Sequence, residues 1–270
     1  MKLKTIKSAA LNVGLALASA STVFFTARLV DPVFLGRQAA LQRVLNPPRV
    51  ASATVMPAAS DSVMDRASFS EDRRRFAEDL IATGKVDEPR AIELATYAVR
   101  EAYKRDVPPA LVFGVMMVEN DAFKSSATSN VGAVGLMQVY PRVWVKSLSK
   151  FFGADLQSDE TNIKYGVYIL GALVHENSAK RTTDLALRKG LLRYNGCVRG
   201  RNTRNCHRYP DKVKQRIESY AKSQCGSAGY TGCVTSPMRV AIAERAEEKR
   251  APRRIKASSR LDRSALVQSE

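Results

Sequence analysis

The chain has 270 residues, which is enough for one ordinary domain with long appendages or for two small domains. Its 43 Lys and Arg residues against 26 Asp and Glu residues give a formal net charge of +17, which favours an anionic partner such as nucleic acid, a membrane surface or an acidic polymer. The sequence has no basic–aromatic nucleic-acid motif, no zinc-type Cys/His spacing and no phosphate-binding loop, and we therefore expect no nucleic-acid partner.

Residues 1–30 have the pattern of an export segment. Lysines precede an uncharged stretch from Ser8 to Ala27, and positive charge ahead of an apolar segment keeps the start of a chain cytoplasmic while the remainder is exported. Ala18-Ser19-Ala20 fits a signal-peptide cleavage site, whereas Val23-Phe24-Phe25 extends the apolar segment to about 20 residues, enough to span a bilayer. We expect an uncleaved anchor formed by residues 8–27, with secretion after cleavage as the open alternative, followed by a linker over residues 31–68.

All four cysteines, Cys197, Cys206, Cys225 and Cys233, lie downstream of this segment. In an oxidising compartment they predict two disulfides, and sequential pairing is the simplest of three possible connectivities. A zinc site is the alternative, because His207 stands beside Cys206, but the chain has no CxxC pair. We therefore expect disulfides, no metal and no other cofactor.

The middle of the chain has apolar residues at helical spacing and no convincing strand alternation or internal repeat. Residues 69–226 are therefore predicted to form an all-α globular domain, since successive amphipathic helices must pack their apolar faces together. Residues 227–270 combine dense charge with few aromatics, which predicts a disordered basic tail, apart from a possible short helix at Met238–Arg250.

Glu119 directly follows an almost wholly apolar run from Leu111 to Val118, and a glycine-punctuated stretch lies shortly after it at residues 132–138. Apolar surroundings disfavour the charged form of a carboxyl group and raise its pKa towards neutrality. A carboxyl group with such a pKa can protonate a leaving group at physiological pH. Glu119 is therefore predicted to be a general acid.

Three separated motifs, in order and approximate spacing, resemble the SLT domain of lytic transglycosylases, which has a lysozyme-like fold. The first is Glu119-Asn120 with Ser129 and residues 132–138, the second Asn162-Ile163 with Gly166 and Tyr168, and the third Tyr194-Asn195-Gly196. The resemblance covers about residues 90–200. The family usually has Ser after the catalytic Glu, where this chain has Asn120.

The resemblance implies a lyase that acts on peptidoglycan glycan strands. Glu119 would be both acid and base: it would protonate the oxygen of the MurNAc-β-1,4-GlcNAc bond and then activate the muramoyl 6-hydroxyl, leaving a 1,6-anhydroMurNAc end. The substrate-binding residues implied are Ser129, Met137, Gln138, Tyr194 and Asn195. The enzyme would work in the periplasm or another extracytoplasmic space, held at the inner membrane by its N-terminal segment. Any envelope assembly partner is left open.

Two alternatives to this activity stay open, namely a lysozyme-like peptidoglycan hydrolase and a non-catalytic glycan-binding scaffold. Hydrolysis by retaining or inverting routes uses two carboxylates, and the motifs offer only Glu119. Asp121 is two residues away, which on a continuing helix is nearly the opposite face, and capping explains Asp159 and Glu160. The sequence therefore favours the transglycosylase.

Overall fold

The computed structural model describes residues 67–176, 182–197 and 205–248. The helices are α1 (Ala67–Ala82), α2 (Glu88–Lys104), α3 (Pro109–Glu119), α4 (Pro141–Phe152), α5 (Asp159–His175), α6 (Thr183–Tyr194), α7 (Tyr209–Tyr220) and the short α8 (Lys222–Cys225). The chain is helical again from 236 to 248, termed α9 here. Within the described ranges, β-type pairing is limited to isolated bridges of Val134 with Thr128 and with Val139. The all-α prediction is confirmed for these residues.

Helix α3 lies at the centre of the core because it is apolar almost throughout. All its side chains from Ala110 to Met117 are buried. Gly114 lets α7 approach closely, since a Cβ atom at this position would lie 2.5 Å from Cγ1 of Ile217. The start of α7 is thereby held close to the end of α3, where Glu119 lies.

Helix α5 fixes the position of α6, which packs against it. It begins after Ser158, whose hydroxyl accepts from the N–H of Thr161 at 3.5 Å. Gly190 lets α6 pack against it, because a Cβ atom there would lie 2.7 Å from the Cα atom of Val174. The end of α6, with Tyr194, is therefore fixed relative to α5.

Both disulfides have the sequential pairing. Cys197 and Cys206 are bonded with their Cα atoms 5.6 Å apart, and Cys225 and Cys233 with theirs 4.9 Å apart. The first bond closes the connection between α6 and α7. Because all four thiols are used, none is available as a zinc ligand.

The expectation of a disordered tail is wrong for residues 227–248, and the possible short helix expected at Met238–Arg250 is observed as far as residue 248. This segment is helical, and Val234 and Met238, four residues apart on one helical face, are fully buried. Arg245 donates from Nε to Oδ2 of Asp106 at 2.8 Å, on the turn between α2 and α3. Dense charge suggested disorder, but one apolar stripe and the Cys225–Cys233 bond suffice to dock the segment. The rest of the expected tail, 249–270, lies outside the described residues.

The predicted export segment, 1–30, and the linker up to residue 66 also lie outside the described residues. Helix α1 begins at Ala67, so the last two residues of the expected linker belong to the domain, and Tyr103 donates its hydroxyl hydrogen to Oγ of Ser68 at 2.7 Å. In the part of the chain that the structure describes, no helix has the length and apolar character needed to cross a membrane.

Candidate active site

Glu119 is the last residue of α3 and is half-buried. Its Oε1 atom accepts a hydrogen bond from the hydroxyl group of Tyr209, the first residue of α7, at 2.5 Å. The apolar body of α3 holds the glutamate backbone in place, and Tyr209 fixes one carboxyl oxygen. The second oxygen accepts no hydrogen bond from the described residues and is the one left to meet a ligand.

Burial raises the pKa of Glu119 to about 7, and the hydrogen bond from Tyr209 acts in the opposite direction. A carboxyl group with this pKa is present in both protonation states at neutral pH, and it can donate a proton and take it back. Burial also raises the pKa of Tyr209 and of Tyr194 well above the ordinary value, with the charge of Glu119 as a further cause. Both phenols therefore stay protonated hydrogen-bond donors.

Two carboxylates that lie near the motifs in sequence, Asp121 and Asp159, are ion-paired with basic side chains. Asp121 is 50% exposed and lies 3.5 Å from Nζ of Lys85 and 3.6 Å from Nη2 of Arg216. Asp159 lies 2.9 Å from Nη2 of Arg90. Among these residues the pKa of Glu119 is shifted by burial and by Tyr209, with no contribution from a second carboxylate. The site thus resembles a single-carboxylate centre.

Asn120 explains the departure from the Ser that the family usually has after its Glu. Its buried side-chain amide donates from Nδ2 to the carbonyl oxygens of Lys124 at 2.7 Å and Gly135 at 3.2 Å. Its Oδ1 accepts from the N–H of Lys124 at 3.2 Å. The larger Asn side chain therefore ties the segment after Glu119 to the glycine stretch.

The glycine stretch folds as a tight turn closed by Ser129. The N–H of Ala133 donates to Oγ of Ser129 at 3.0 Å, and the N–H of Gly132 donates to the carbonyl oxygen of Ser129 at 2.8 Å. Gly132 and Gly135 have φ angles of +85° and +81°. Both glycines thus supply a left-handed backbone conformation that other residues rarely adopt.

The side chain of Asn162, on α5, fixes this turn by hydrogen bonds. Its fully buried side chain accepts from the N–H of Met137 at 2.8 Å and donates to the carbonyl oxygens of Val134 and Leu156, each at 2.9 Å. The turn sits so close that a Cβ atom on Gly135 would lie 2.2 Å from Nδ2 of Asn162. The second motif therefore has a positioning role, since it fixes the first.

Met137 and Gln138 differ in which of their atoms are accessible to a ligand. The side chain of Met137 was expected to line a cleft, but it is fully buried against Gly166. Only the backbone carbonyl oxygen of Met137 reaches the site, where it accepts a hydrogen bond from the hydroxyl group of Tyr194 at 2.9 Å. Gln138 is partly exposed, and its Nε2 donates to the carbonyl oxygen of Gly135 at 2.9 Å. Its Oε1 accepts no hydrogen bond from the described residues, so this atom can meet a ligand.

Tyr194 and Asn195 end α6, and both are partly exposed. The N–H of Asn195 donates to the carbonyl oxygen of Leu191 at 3.1 Å, which leaves its side chain beyond the helix end. Tyr168, also part of the motif pattern, packs its ring 5.4 Å from that of Phe152 and 4.9 Å from the guanidinium of Arg105. Tyr168 is thus a packing residue.

Tyr209 is the residue of the candidate site that the sequence analysis did not identify. The signal was present, because Tyr194 precedes Cys197 by three residues and Tyr209 follows Cys206 by three. Pairing of these two cysteines brings both tyrosines to the same end of the domain. A sequential disulfide therefore predicts a pair of tyrosines near the third motif.

One family model, described as the transglycosylase SLT domain, matches residues 96–202. The match includes Glu119, the glycine stretch, Asn162 and Tyr194 but ends before Tyr209. No curated protein and no solved structure gave a match. SLT domains act on peptidoglycan, which lies outside the cytoplasm. The match over residues 96–202 therefore agrees with the resemblance of the three motifs to the transglycosylase SLT domain, a lysozyme-like domain that acts on the cell wall.

Proposed function

We propose that the protein is a lytic transglycosylase that cleaves the MurNAc-β-1,4-GlcNAc bond of peptidoglycan, with Glu119 as its only catalytic acid and base. The observation that carries this proposal is the carboxyl group of Glu119, whose pKa burial raises to about 7 and on whose pKa no second carboxylate acts among the described residues. Hydrolysis by the usual routes needs two carboxylates, whereas transglycosylation needs one group that gives a proton and takes one back.

In the first step, protonated Glu119 donates its proton to the glycosidic oxygen while the bond from that oxygen to C1 of MurNAc breaks. The GlcNAc leaves with a free 4-hydroxyl group. Positive charge develops at C1, and the acetamido carbonyl oxygen of the same sugar stabilises it. The burial that raises the pKa of Glu119 thus supplies the acid form that this step consumes.

In the second step, the 6-hydroxyl oxygen of the same MurNAc bonds to C1, and its proton returns to Glu119. The product is a 1,6-anhydroMurNAc end, and no water is consumed. An intramolecular nucleophile has a high effective concentration, which lets it outcompete water in a closed site.

The remaining residues orient the glycan and the acid. Ser129, Gln138 and Asn195 are partly exposed polar side chains that can bind acetamido and hydroxyl groups. Met137 contributes only through its backbone, as the acceptor for Tyr194. Tyr209 holds Oε1 of Glu119 and so leaves one defined oxygen for proton transfer.

Product analysis tests the proposal. Purified sacculi are digested in oxygen-18 water, and the released muropeptides are analysed by mass spectrometry. We expect unlabelled 1,6-anhydroMurNAc ends. Reducing MurNAc ends that carry the label would instead assign the protein to the hydrolases, and binding to sacculi without any turnover would assign it to the scaffolds.

An extracytoplasmic site of action agrees with the two disulfides, which persist in oxidising compartments. Anchoring at the inner membrane by residues 8–27 is part of the proposal and follows from the charge pattern alone. Protease accessibility in spheroplasts tests the topology, since we expect the domain to be digested before lysis. Recovery of a mature protein that begins after Ala20 would show cleavage instead of anchoring.

A further inference from the structure

A cavity of about 400 Å³ opens beside the catalytic end of α3. One of its walls is Val118, the residue directly before Glu119. The other lining residues are Lys212, Gln215, Arg216, Ser219 and Tyr220, all on α7. The cavity therefore lies at the junction of the two helices that form the Glu119–Tyr209 hydrogen bond.

The lining residues continue the helical stripe that Tyr209 begins. Lys212 and Arg216 follow Tyr209 at spacings of three and seven residues, so the three side chains lie on one side of α7. At a rise of about 1.5 Å per residue, Arg216 lies roughly 10 Å along the helix from the tyrosine that holds the catalytic glutamate. A group attached to a sugar bound at Glu119 can therefore reach the cavity.

The cavity is cationic. Lys212 has no acidic partner among the described residues, and Arg216 shares Asp121 with Lys85, at 3.6 Å and 3.5 Å respectively. Two cations thus share one carboxylate, and Lys212 adds a further positive charge to the cavity wall. The Arg216 guanidinium also lies 5.7 Å from the ring centre of Tyr220, which holds it against the wall.

We propose that this cavity binds carboxylate groups of the peptide stem on the muramoyl residue at the cleavage site. The proposal rests on the proposed function, since that activity brings muramoyl sugars to Glu119. The stem begins at the lactyl group of the sugar, and three extended residues span about 10 Å, which matches the rise along α7 from Tyr209 to Arg216. Lys212 and Arg216 would bind the carboxylates, and Val118 and Tyr220 would contact the apolar parts of the stem.

The test measures binding by the full-length Glu119→Gln protein in detergent solution, so that turnover does not interfere. Two ligands are compared by calorimetry: soluble peptidoglycan fragments that carry stem peptides, and the same glycans after amidase removal of the stems. Lys212→Ala and Lys212→Ala/Arg216→Ala are introduced into this background. Lys214→Ala is the matched control, because it removes a lysine of α7 that lies outside the cavity lining.

We expect Lys212→Ala to weaken binding of the peptide-bearing fragments about threefold to fivefold and the double variant to weaken it about tenfold. Binding of the stripped glycans should stay within about twofold, as should both ligands with Lys214→Ala. Thermal melting of each variant confirms that the fold is retained.

Equal losses on both ligands, or no loss on either, would overturn the proposal. It would also be overturned if the variants lost binding only to mixed micelles containing anionic phospholipid, since the cavity would then serve lipid phosphate. If the product assay gave labelled reducing ends while binding still depended on the stem peptide, the transglycosylase activity would be refuted. The proposal that the cavity binds the stem would stand. The two failures are thus distinguishable.

Discussion

Tyr209 donates its hydroxyl hydrogen to Oε1 of Glu119 across 2.5 Å, and this bond joins the first residue of α7 to the last residue of α3. A donor of this kind favours the charged carboxylate, whereas burial favours the neutral acid. The pKa of about 7 is the balance of the two. Because Tyr209 lies beyond residue 202, part of that balance comes from outside the segment that matches the family model.

Glu119→Gln should abolish turnover and leave glycan binding largely intact. The amide keeps the shape of the side chain but can neither give nor retrieve the proton, and general acid–base catalysis contributes about a hundredfold to ten-thousandfold. Release of muropeptides from sacculi measures the rate, and a pelleting assay measures binding. A variant with nearly the wild-type rate would remove Glu119 from the mechanism.

Tyr209→Phe should move the alkaline limb of the pH–rate profile to higher pH. The hydrogen bond from Tyr209 lowers the pKa of Glu119, so its loss raises that pKa further and extends the pH range of the acid form. The wild-type rate itself should decline above a pH of about 7, as Glu119 loses its proton. The profile of kcat/KM against pH measures both effects.

Tyr194→Phe is the matched control for this experiment, because the Tyr194 hydroxyl donates to the carbonyl oxygen of Met137 and not to Glu119. We expect a change in rate but an alkaline limb in the wild-type position. A limb that moves equally in both variants would show that Tyr209 acts only through packing.

The raised pKa of Glu119 should also appear in the stability of the protein. The folded pKa of about 7 exceeds the ordinary value of 4.5, so the native state binds the proton more tightly than the unfolded state does. This group's effect on stability is therefore unchanged below pH 4.5, becomes destabilising as pH rises from 4.5 to about 7, and is constant above that.

Glu119→Gln removes this destabilisation. The variant should therefore gain about 3 kcal/mol over the wild type at pH 8 relative to the difference at pH 4. Urea unfolding at the two pH values measures the effect, and comparison with the wild type cancels the other titrating groups. An equal difference at both pH values would contradict a raised pKa at Glu119.

The sequence indicated Glu119, the proposed catalytic acid, because its signal is local. An apolar run that ends in one carboxyl group predicts both the buried helix and the shifted pKa, and the helical spacing of apolar residues predicts the all-α domain. Tyr209 could not be found in the same way, since its partner lies 90 residues away and only the disulfide and the α3–α7 packing bring them together.

The burial of Met137 was missed for a related reason. Its position in the glycine stretch suggests an exposed loop, but Gly166 on a distant helix opens space for its side chain. The packing of residues 227–248 likewise depends on contacts that lie far apart in the chain, such as Arg245 with Asp106. A high density of charged residues therefore does not reveal whether a segment also has a stripe of apolar residues that can be buried.

The Cys197–Cys206 bond should matter for activity as well as for stability. Replacement of both cysteines by serine should destabilise the protein by about 2–4 kcal/mol and lower the rate, because the bond positions Tyr209 through the start of α7. The same replacement at Cys225 and Cys233 should destabilise to a similar extent with a smaller loss of rate. Thermal melting and muropeptide release compare the two pairs, and equal losses of rate would argue against the positioning role.

Gly135→Ala should damage the site more than Gly132→Ala does, although both glycines have φ above +80°. Each substitution places a Cβ atom in a left-handed backbone conformation, which costs about 1–2 kcal/mol. At Gly132 the nearest other atom would be 3.9 Å away, on the ring of Tyr140, so backbone strain is the whole effect. At Gly135 the new atom would lie 2.2 Å from Nδ2 of Asn162, and that amide must move.

Movement of Asn162 would break its bonds to Met137 and Val134, which hold the turn beside Glu119. We therefore expect Gly135→Ala to destabilise the protein by about 1–3 kcal/mol more than Gly132→Ala does. We also expect kcat to fall much further in Gly135→Ala than in Gly132→Ala, which is the control. Urea unfolding and initial rates on sacculi measure the two quantities. If both alanine variants lost stability and rate equally, Asn162 would not be the residue that positions this turn.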